Sequence, residues 1–299
     1  MRIADRLSCG AALALPILLA GCSLIPTTRH LPLPRPASNV KSATPQELVN
    51  EVNQRWDALN TLTATVEIQA TEIKTSEGVQ TETSFPSCRA QILMRKPKML
   101  RVYGRVPVIG TELFDMASDG SRFTLYIKPK NLAIEGSNTV KDKDPNPLLN
   151  LRPDFFLDAI TVRGLQPDEE FMVVHDTETI EDAAKKHLYT EPEYVLSVMR
   201  PKKGNEITPV RVITFHRDDM LPYDQDVYDS DGNLETQVTY SNYTEFTAGR
   251  YPSRITIKRP KEGIQFVLTV DDVKENTMDL PDSQFQVKIP EDATIRQLK

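Results

Sequence analysis

The residues best equipped for chemistry in this sequence of 299 residues are few and scattered. Its four imidazoles, His30, His175, His187 and His216, contain no pair at the i, i+4 spacing that places two zinc ligands on one helix face. No Gly-x-Ser-x-Gly elbow or phosphate-cradling glycine loop is present. The run from Asp229 to Glu235 carries alternating acids like a calcium loop. It is too short for an EF-hand and, with Asp231-Gly232 at its centre, reads as a hairpin turn. With no nucleophile beside a base and no metal-ligand set, the expectation is a protein that is not an enzyme. That leaves the cysteines: Cys9, Cys22 and Cys88.

Cys22 stands in a distinctive context. Arg2 and Arg6 give a basic start, residues 11–20 (AALALPILLA) are almost wholly apolar, and Leu19-Ala20-Gly21 precede the cysteine. An apolar run this short does not span a bilayer, which takes about 20 residues. Basic start, short apolar core and small residues before a cleavage point mark an export signal. Leu19-Ala20-Gly21-Cys22 resembles the lipobox of bacterial lipoproteins. The resemblance implies cleavage before Cys22, diacylglycerol on its sulfur and an acyl chain on its new amine, with no other cofactor. Several acyl chains together anchor a protein firmly, where one holds it marginally. Ser23 occupies the position at which an aspartate retains such proteins in the inner membrane. The implied location is therefore the periplasmic face of the outer membrane, held by the lipid anchor. If Cys22 is acylated, Cys88 has no intrachain partner, so the body must be held by its own core and Cys88 acts as a small packing residue.

Three segments follow from this reading: a signal peptide over 1–21, a tether over 22–43 and one folded domain over 44–299. The tether carries Pro26, Pro32, Pro34 and Pro36 with Thr, Arg and Ser between them, a composition that stays extended. The whole sequence has 36 Lys and Arg against 42 Asp and Glu, a net charge of −6 that argues against nucleic acid as a partner. The basic run Arg95, Lys96, Lys98, Arg101 and Arg105 reads first as a solvated sheet edge, and second as a contact for lipid headgroups.

Thr44-Pro45-Gln46-Glu47 is a helix start, with a cap, a proline at the first position and a capping-box glutamate. Leu48, Val52, Trp56, Leu59 and Leu62 then recur at helical spacing, with Trp56 as a core anchor. The period changes at Leu62. Leu62, Ala64, Val66, Ile68 and Ala70 alternate with polar residues through Thr71, as in a strand with one dry face. Strands are also expected at 89–94, 99–105, 112–117, 123–128, 132–134, 171–175, 194–200, 210–216, 223–228, 235–246, 253–259 and 264–273, joined by short turns. A second helical region opens at Asn146-Pro147 and runs through Phe155, Phe156 and Ile160, with Pro153 splitting it. The expected fold is mainly β with covering helices: one large, curved antiparallel sheet, an unclosed half-barrel, enclosing an apolar cavity. Leu62, Ala64, Val66 and Ile68 are the candidates to line it.

The chain resembles the LolA/LolB family of lipoprotein carriers and acceptors, and more closely its LolB side. Three stretches carry the likeness. Arg101 to Leu113 (RVYGRVPVIGTEL) resembles that family's strand, turn and strand around a Pro-Leu-Gly-x-Thr-Glu-Leu core. Pro147 to Arg152 (PLLNLR) resembles the opening of its second helix. Tyr251 to Ile257, followed by Phe266 to Val273, resembles its closing strands. The family places one apolar residue where this chain has Val108-Ile109, the stretch 175–199 is longer and more charged than the family's, and 281–299 is extra relative to LolB. The resemblance implies a cavity for acyl chains, an acylated lipoprotein or other lipid as cargo, a periplasmic carrier as partner, and Val108 and Ile109 as membrane contacts at a protruding turn. The rival expectation is an anchored envelope scaffold or sensor whose cavity is filled by its own side chains.

Overall fold

The computed structural model describes residues 35–36, 40–76, 79–138, 152–182 and 187–298. Cys22, the signal segment, most of the tether and the expected helix opening at Pro147 lie outside the described residues.

Among those residues the chain forms one sheet of sixteen strands and two α-helices. The strands are β1 (Arg35–Pro36), β2 (Thr61–Ser76), β3 (Val79–Ser84), β4 (Cys88–Arg95), β5 (Met99–Arg105), β6 (Glu112–Ser118), β7 (Arg122–Ile127), β8 (Leu132–Ser137), β9 (Glu170–Asp182), β10 (His187–Pro201), β11 (Ile207–His216), β12 (Pro222–Tyr228), β13 (Leu234–Phe246), β14 (Gly249–Arg259), β15 (Ile264–Glu275) and β16 (Thr294–Gln297). From β4 to β8 and from β9 to β15 each strand pairs antiparallel with the next, and β15 joins the two halves by pairing with β2. Only β1 on β10 and β16 on β8 are parallel. The sheet does not close: β9 ends it on one side and β16 on the other. This is the expected unclosed half-barrel.

The helices cover its inner face. The helix α1 (Pro45–Ala58) starts as its sequence dictates: Thr44 Oγ1 accepts from Glu47 N–H, and the Glu47 carboxylate accepts from Thr44 N–H at 2.7 Å. It stops at Ala58 rather than continuing to Leu62. Its buried stripe Leu48, Val49 and Val52 packs on Tyr194, Leu196, Val198, Ile213 and Phe215 of β10 and β11, a core of its own. The helix α2 (Pro153–Ile160) begins at the proline expected to split it, because Pro fits the first helical position, where its missing N–H costs nothing. Phe155 and Phe156 of α2, with ring centres 4.3 Å apart, pack on Phe266 of β15 at 5.7 and 5.9 Å. They close the main core over β2, β4, β5, β14 and β15.

Besides the two-residue β1, which falls in the expected tether, two strands had no signal in the sequence. β3 is exposed along its whole length, so nothing in it alternates, and it exists because it pairs with the far half of β2. β16 ends a carboxy-terminal arm that runs back across the sheet. Arg95 donates to the Leu280 carbonyl and pairs with Asp282, while Arg101 donates to the Gln284 carbonyl at 2.9 Å and pairs with Asp115. Phe285 is buried beneath the Arg95 guanidinium. The Lys96 ammonium caps the Trp56 carbonyl at the end of α1. Three cations of the basic run are therefore internal ties rather than a free basic edge.

Candidate functional site: a cavity at one end of the half-barrel

A cavity of about 590 Å³ opens where the end of α1, the segment after α2 and the ends of five strands meet. Its walls are Trp56, Leu59, Leu62, Ile160, Val162, Leu221 and the rings of Tyr240, Tyr243 and Tyr251; Lys41, Arg55, Asp219, Arg250 and Glu275 add charge. The volume lies within the range of about 300–1,000 Å³ typical of small-molecule sites.

Each tyrosine presents its ring to the space while its hydroxyl is tied elsewhere. Tyr251 donates to the Ile160 carbonyl at 2.7 Å, Tyr243 donates to the Pro222 carbonyl, and Tyr240 bonds the Gln225 amide at 3.3 Å. Burial raises all three phenols above their ordinary range, so they stay neutral. The walls are apolar in effect even though three of them carry oxygen. The charges are mostly paired: Arg250 with Asp219 at 3.3 Å, and Arg55 with Glu51 at 2.6 Å. Glu275 is half-buried, and loss of water pushes its carboxyl up toward the neutral form.

The strand β2 reaches this cavity at one point. Leu62 lines it. Ala64, Val66 and Ile68 share its face, as alternation requires, but are buried in the packed core. The half-barrel is thus solid along its middle and hollow at the end where β2 begins. Val108 and Ile109 lie in the β5–β6 turn, at the opposite end. Arg105 pairs with Arg89, and Arg89 with Glu67, so the turn lies level with the far half of β2, away from Leu62. Val108 is fully exposed and Ile109 is 77% exposed. Ile109 N–H donates to the Pro107 carbonyl at 2.8 Å across Val108, whose φ is 68°. A β-branched residue rarely adopts a positive φ, and such a three-residue turn is strained.

The sequence reading missed most of the cavity. Tyr240 keeps the even parity of Val238, Tyr251 lies just before the expected strand 253–259, and Tyr243 follows Asn242, whose φ is 55°. The inward face passes from even positions (Val238, Tyr240) to an odd one (Tyr243), which an alternation count reads as outward. Ile160, Val162 and Leu221 sit in loops or at helix ends, where no periodic pattern points inward. Trp56, expected as a core anchor, packs half-buried against the core and also walls the cavity.

The sequence matches no protein-family model and no curated protein sequence. Solved structures do match. NE2245, a LolA superfamily protein from Nitrosomonas europaea, aligns with a TM-score of 0.50 at 16% identity, covering 82% of this chain and 99% of that one. The fold is LolA-like. A putative outer membrane lipoprotein-sorting protein domain from Vibrio parahaemolyticus aligns with a TM-score of 0.49 at 14% identity, over 80% of this chain and 94% of that one. In this LolA-like body the last residues before α1 run beside the cavity. Lys41 N–H donates to the Arg217 carbonyl at 2.7 Å, Arg217 Nε donates back to the Lys41 carbonyl at 3.0 Å, and Ala43 N–H donates to the Tyr194 hydroxyl at 2.9 Å.

Proposed function

We propose that the protein is a lipoprotein anchored through acyl chains on Cys22 at the periplasmic face of the outer membrane. There it binds the acyl chains of a lipoprotein or other lipid as an acceptor, closer in role to LolB than to LolA, and receives its cargo from a periplasmic carrier. The observation that carries the reading is the cavity of about 590 Å³ walled by aliphatic side chains and capped tyrosine rings. An acyl chain entering it gains about 0.8 kcal/mol per methylene removed from water. The LolA-like fold and the exposed pair Val108-Ile109 support the same role.

Filling the space tests it. Ala248 lines the cavity at the β13–β14 turn. Ala248→Trp should leave the fold intact and lower binding of a fluorescent fatty acid about tenfold or more. Organic extraction of the purified wild-type body should yield lipid, and extraction of the variant little. Equal probe binding by both proteins, with no lipid extracted from either, would sink the carrier reading. It would favour an anchored scaffold instead. That second reading rests on Ala64, Val66 and Ile68, which show the middle of the half-barrel filled by the protein's own side chains.

A further inference from the structure

The two ends of the sheet are finished differently. On one side the carboxy-terminal arm lays β16 along β8. β16 has four residues, all exposed, including Arg296, and so meets the usual safeguards of a free edge: it is short and charged. On the other side stands β9, thirteen residues long and paired with β10 without a register shift from Glu170↔Met199 to Asp182↔His187. Among the described residues nothing pairs with its outer edge. β9 contains no proline, lysine or arginine.

Its exposed main-chain groups have a definite parity. Thr177 N–H donates to the Asp176 carboxylate at 2.7 Å, so it points away from β10. In an antiparallel pair this parity is shared by Phe171, Val173, His175 and Thr179. The side chains divide by position. On the sheet's outer face Met172 is 50% and Val174 42% exposed, while beyond them come Asp176 and Glu178. Glu191 and Glu193 of β10 stand opposite these two acids, in the pairs Glu178↔Glu191 and Asp176↔Glu193.

We propose that β9 is a docking edge for an extended, basic segment of another protein, which adds to the sheet as a further strand. Main-chain hydrogen bonds to the outward amides and carbonyls supply affinity, and alternate side chains supply specificity. The segment that fits carries lysine or arginine opposite Asp176 and Glu178, and apolar residues opposite Met172 and Val174. A second copy of this chain does not fit. Two β9 strands side by side would set carboxylates against carboxylates, and like charges across a ladder destabilise it. The same acids repel an anionic membrane. The acidic strand is therefore guarded against itself and open to a partner of opposite charge.

The test uses the full chain without its lipid and two synthetic peptides. One alternates lysine with threonine over one half and valine with threonine over the other. The second replaces lysine with glutamate. The lysine peptide should bind, weaken as salt rises, and slow hydrogen exchange at the outward amides of Phe171, Val173, His175, Thr177 and Thr179, which should exchange fast in the free protein. Thr177→Pro removes an outward N–H without touching the β9–β10 ladder and should weaken binding about tenfold or more. Glu178→Lys should reverse the preference between the two peptides, and keeps the proposal testable should the proline variant misfold. Slow exchange at those five outward amides in the free protein would overturn the proposal, because the edge would already be covered. So would equal binding of both peptides, binding of neither, or a concentration-dependent dimer abolished by Glu178→Lys.

Discussion

The Cys88 thiol is held out of chemistry by its surroundings. It is buried at the start of β4, and burial, with the Glu67 carboxylate nearby, pushes its pKa up to about 11. Only about one thiol in ten thousand is then ionised at pH 7. With Cys22 acylated, the mature protein should not react with a thiol reagent until unfolded, and should then release one equivalent; fast native labelling would contradict the packing role. The same distinction between packed and displayed residues separates two substitutions that look alike on paper. Val66→Glu puts a carboxyl into the core and should cost several kcal/mol. Burial raises that carboxyl's folded pKa, so its cost is smallest below the unfolded value of about 4.3 and grows as pH rises toward the folded value. Ile109→Glu changes a displayed side chain and should shift stability by no more than about 0.5 kcal/mol. Denaturation of both variants at acid and neutral pH checks both statements. A large loss from Ile109→Glu would mean the tip folds back onto the body.

At the scale of elements, whatever buried one face by simple alternation was legible. β2 declared itself through Leu62 to Ala70, and α1 through its capping box and its stripe. What escaped was set by partners rather than by the segment: β3 borrows its order from β2, and β16 is placed by Arg95 and Arg101 holding the arm. At the cavity, Leu62 was readable and Tyr243, just past Asn242, was not, because one residue of positive φ resets the face. Turns also contribute measurable chemistry. In the β6–β7 turn the Asp119 carboxylate accepts from the Arg122 and Ser121 amides and the Ser121 hydroxyl, each at 2.8 Å, and these bonds hold it below the ordinary carboxylate range, the Arg122 amide most of all. A lowered folded pKa means stability that is fully present above the unfolded value of about 3.9 and is lost as pH falls through the folded one. Asp119→Asn keeps the shape of the turn without the charge. Its unfolding free energy should therefore fall less between pH 5 and pH 2 than that of the wild type, and parallel curves would show that Asp119 is not held as described.

At the scale of the whole molecule the cavity and the apolar tip lie at opposite ends of the strands, separated by more than the 20 Å or so from Leu62 to Ile68. If Cys22 is the anchor as proposed, the chain from it enters at the cavity end, where β1 lies on β10 at Tyr189 and Thr190. Anchor position alone would turn the cavity toward the membrane. Two forces oppose that. The β9–β10 hairpin at this end carries the exposed acids Asp176 and Glu178, which an anionic surface repels. The far end instead offers Val108 and Ile109, and burying such a side chain in lipid recovers about 1.5–3 kcal/mol. The stretch from Cys22 to Arg35 reaches at most about 45 Å, long enough to pass along the body. The body should therefore rest on the membrane by the 106–111 turn, with its cavity facing the periplasm and an incoming carrier. Because Cys88 does not react while folded, single cysteines can be labelled at chosen sites in the lipidated protein on anionic vesicles. A polarity-sensitive dye on Ile109→Cys should shift to the blue, and the same dye on Arg250→Cys at the cavity rim should not. The reverse pattern would put the cavity against the membrane and make loading and release a single encounter with the bilayer.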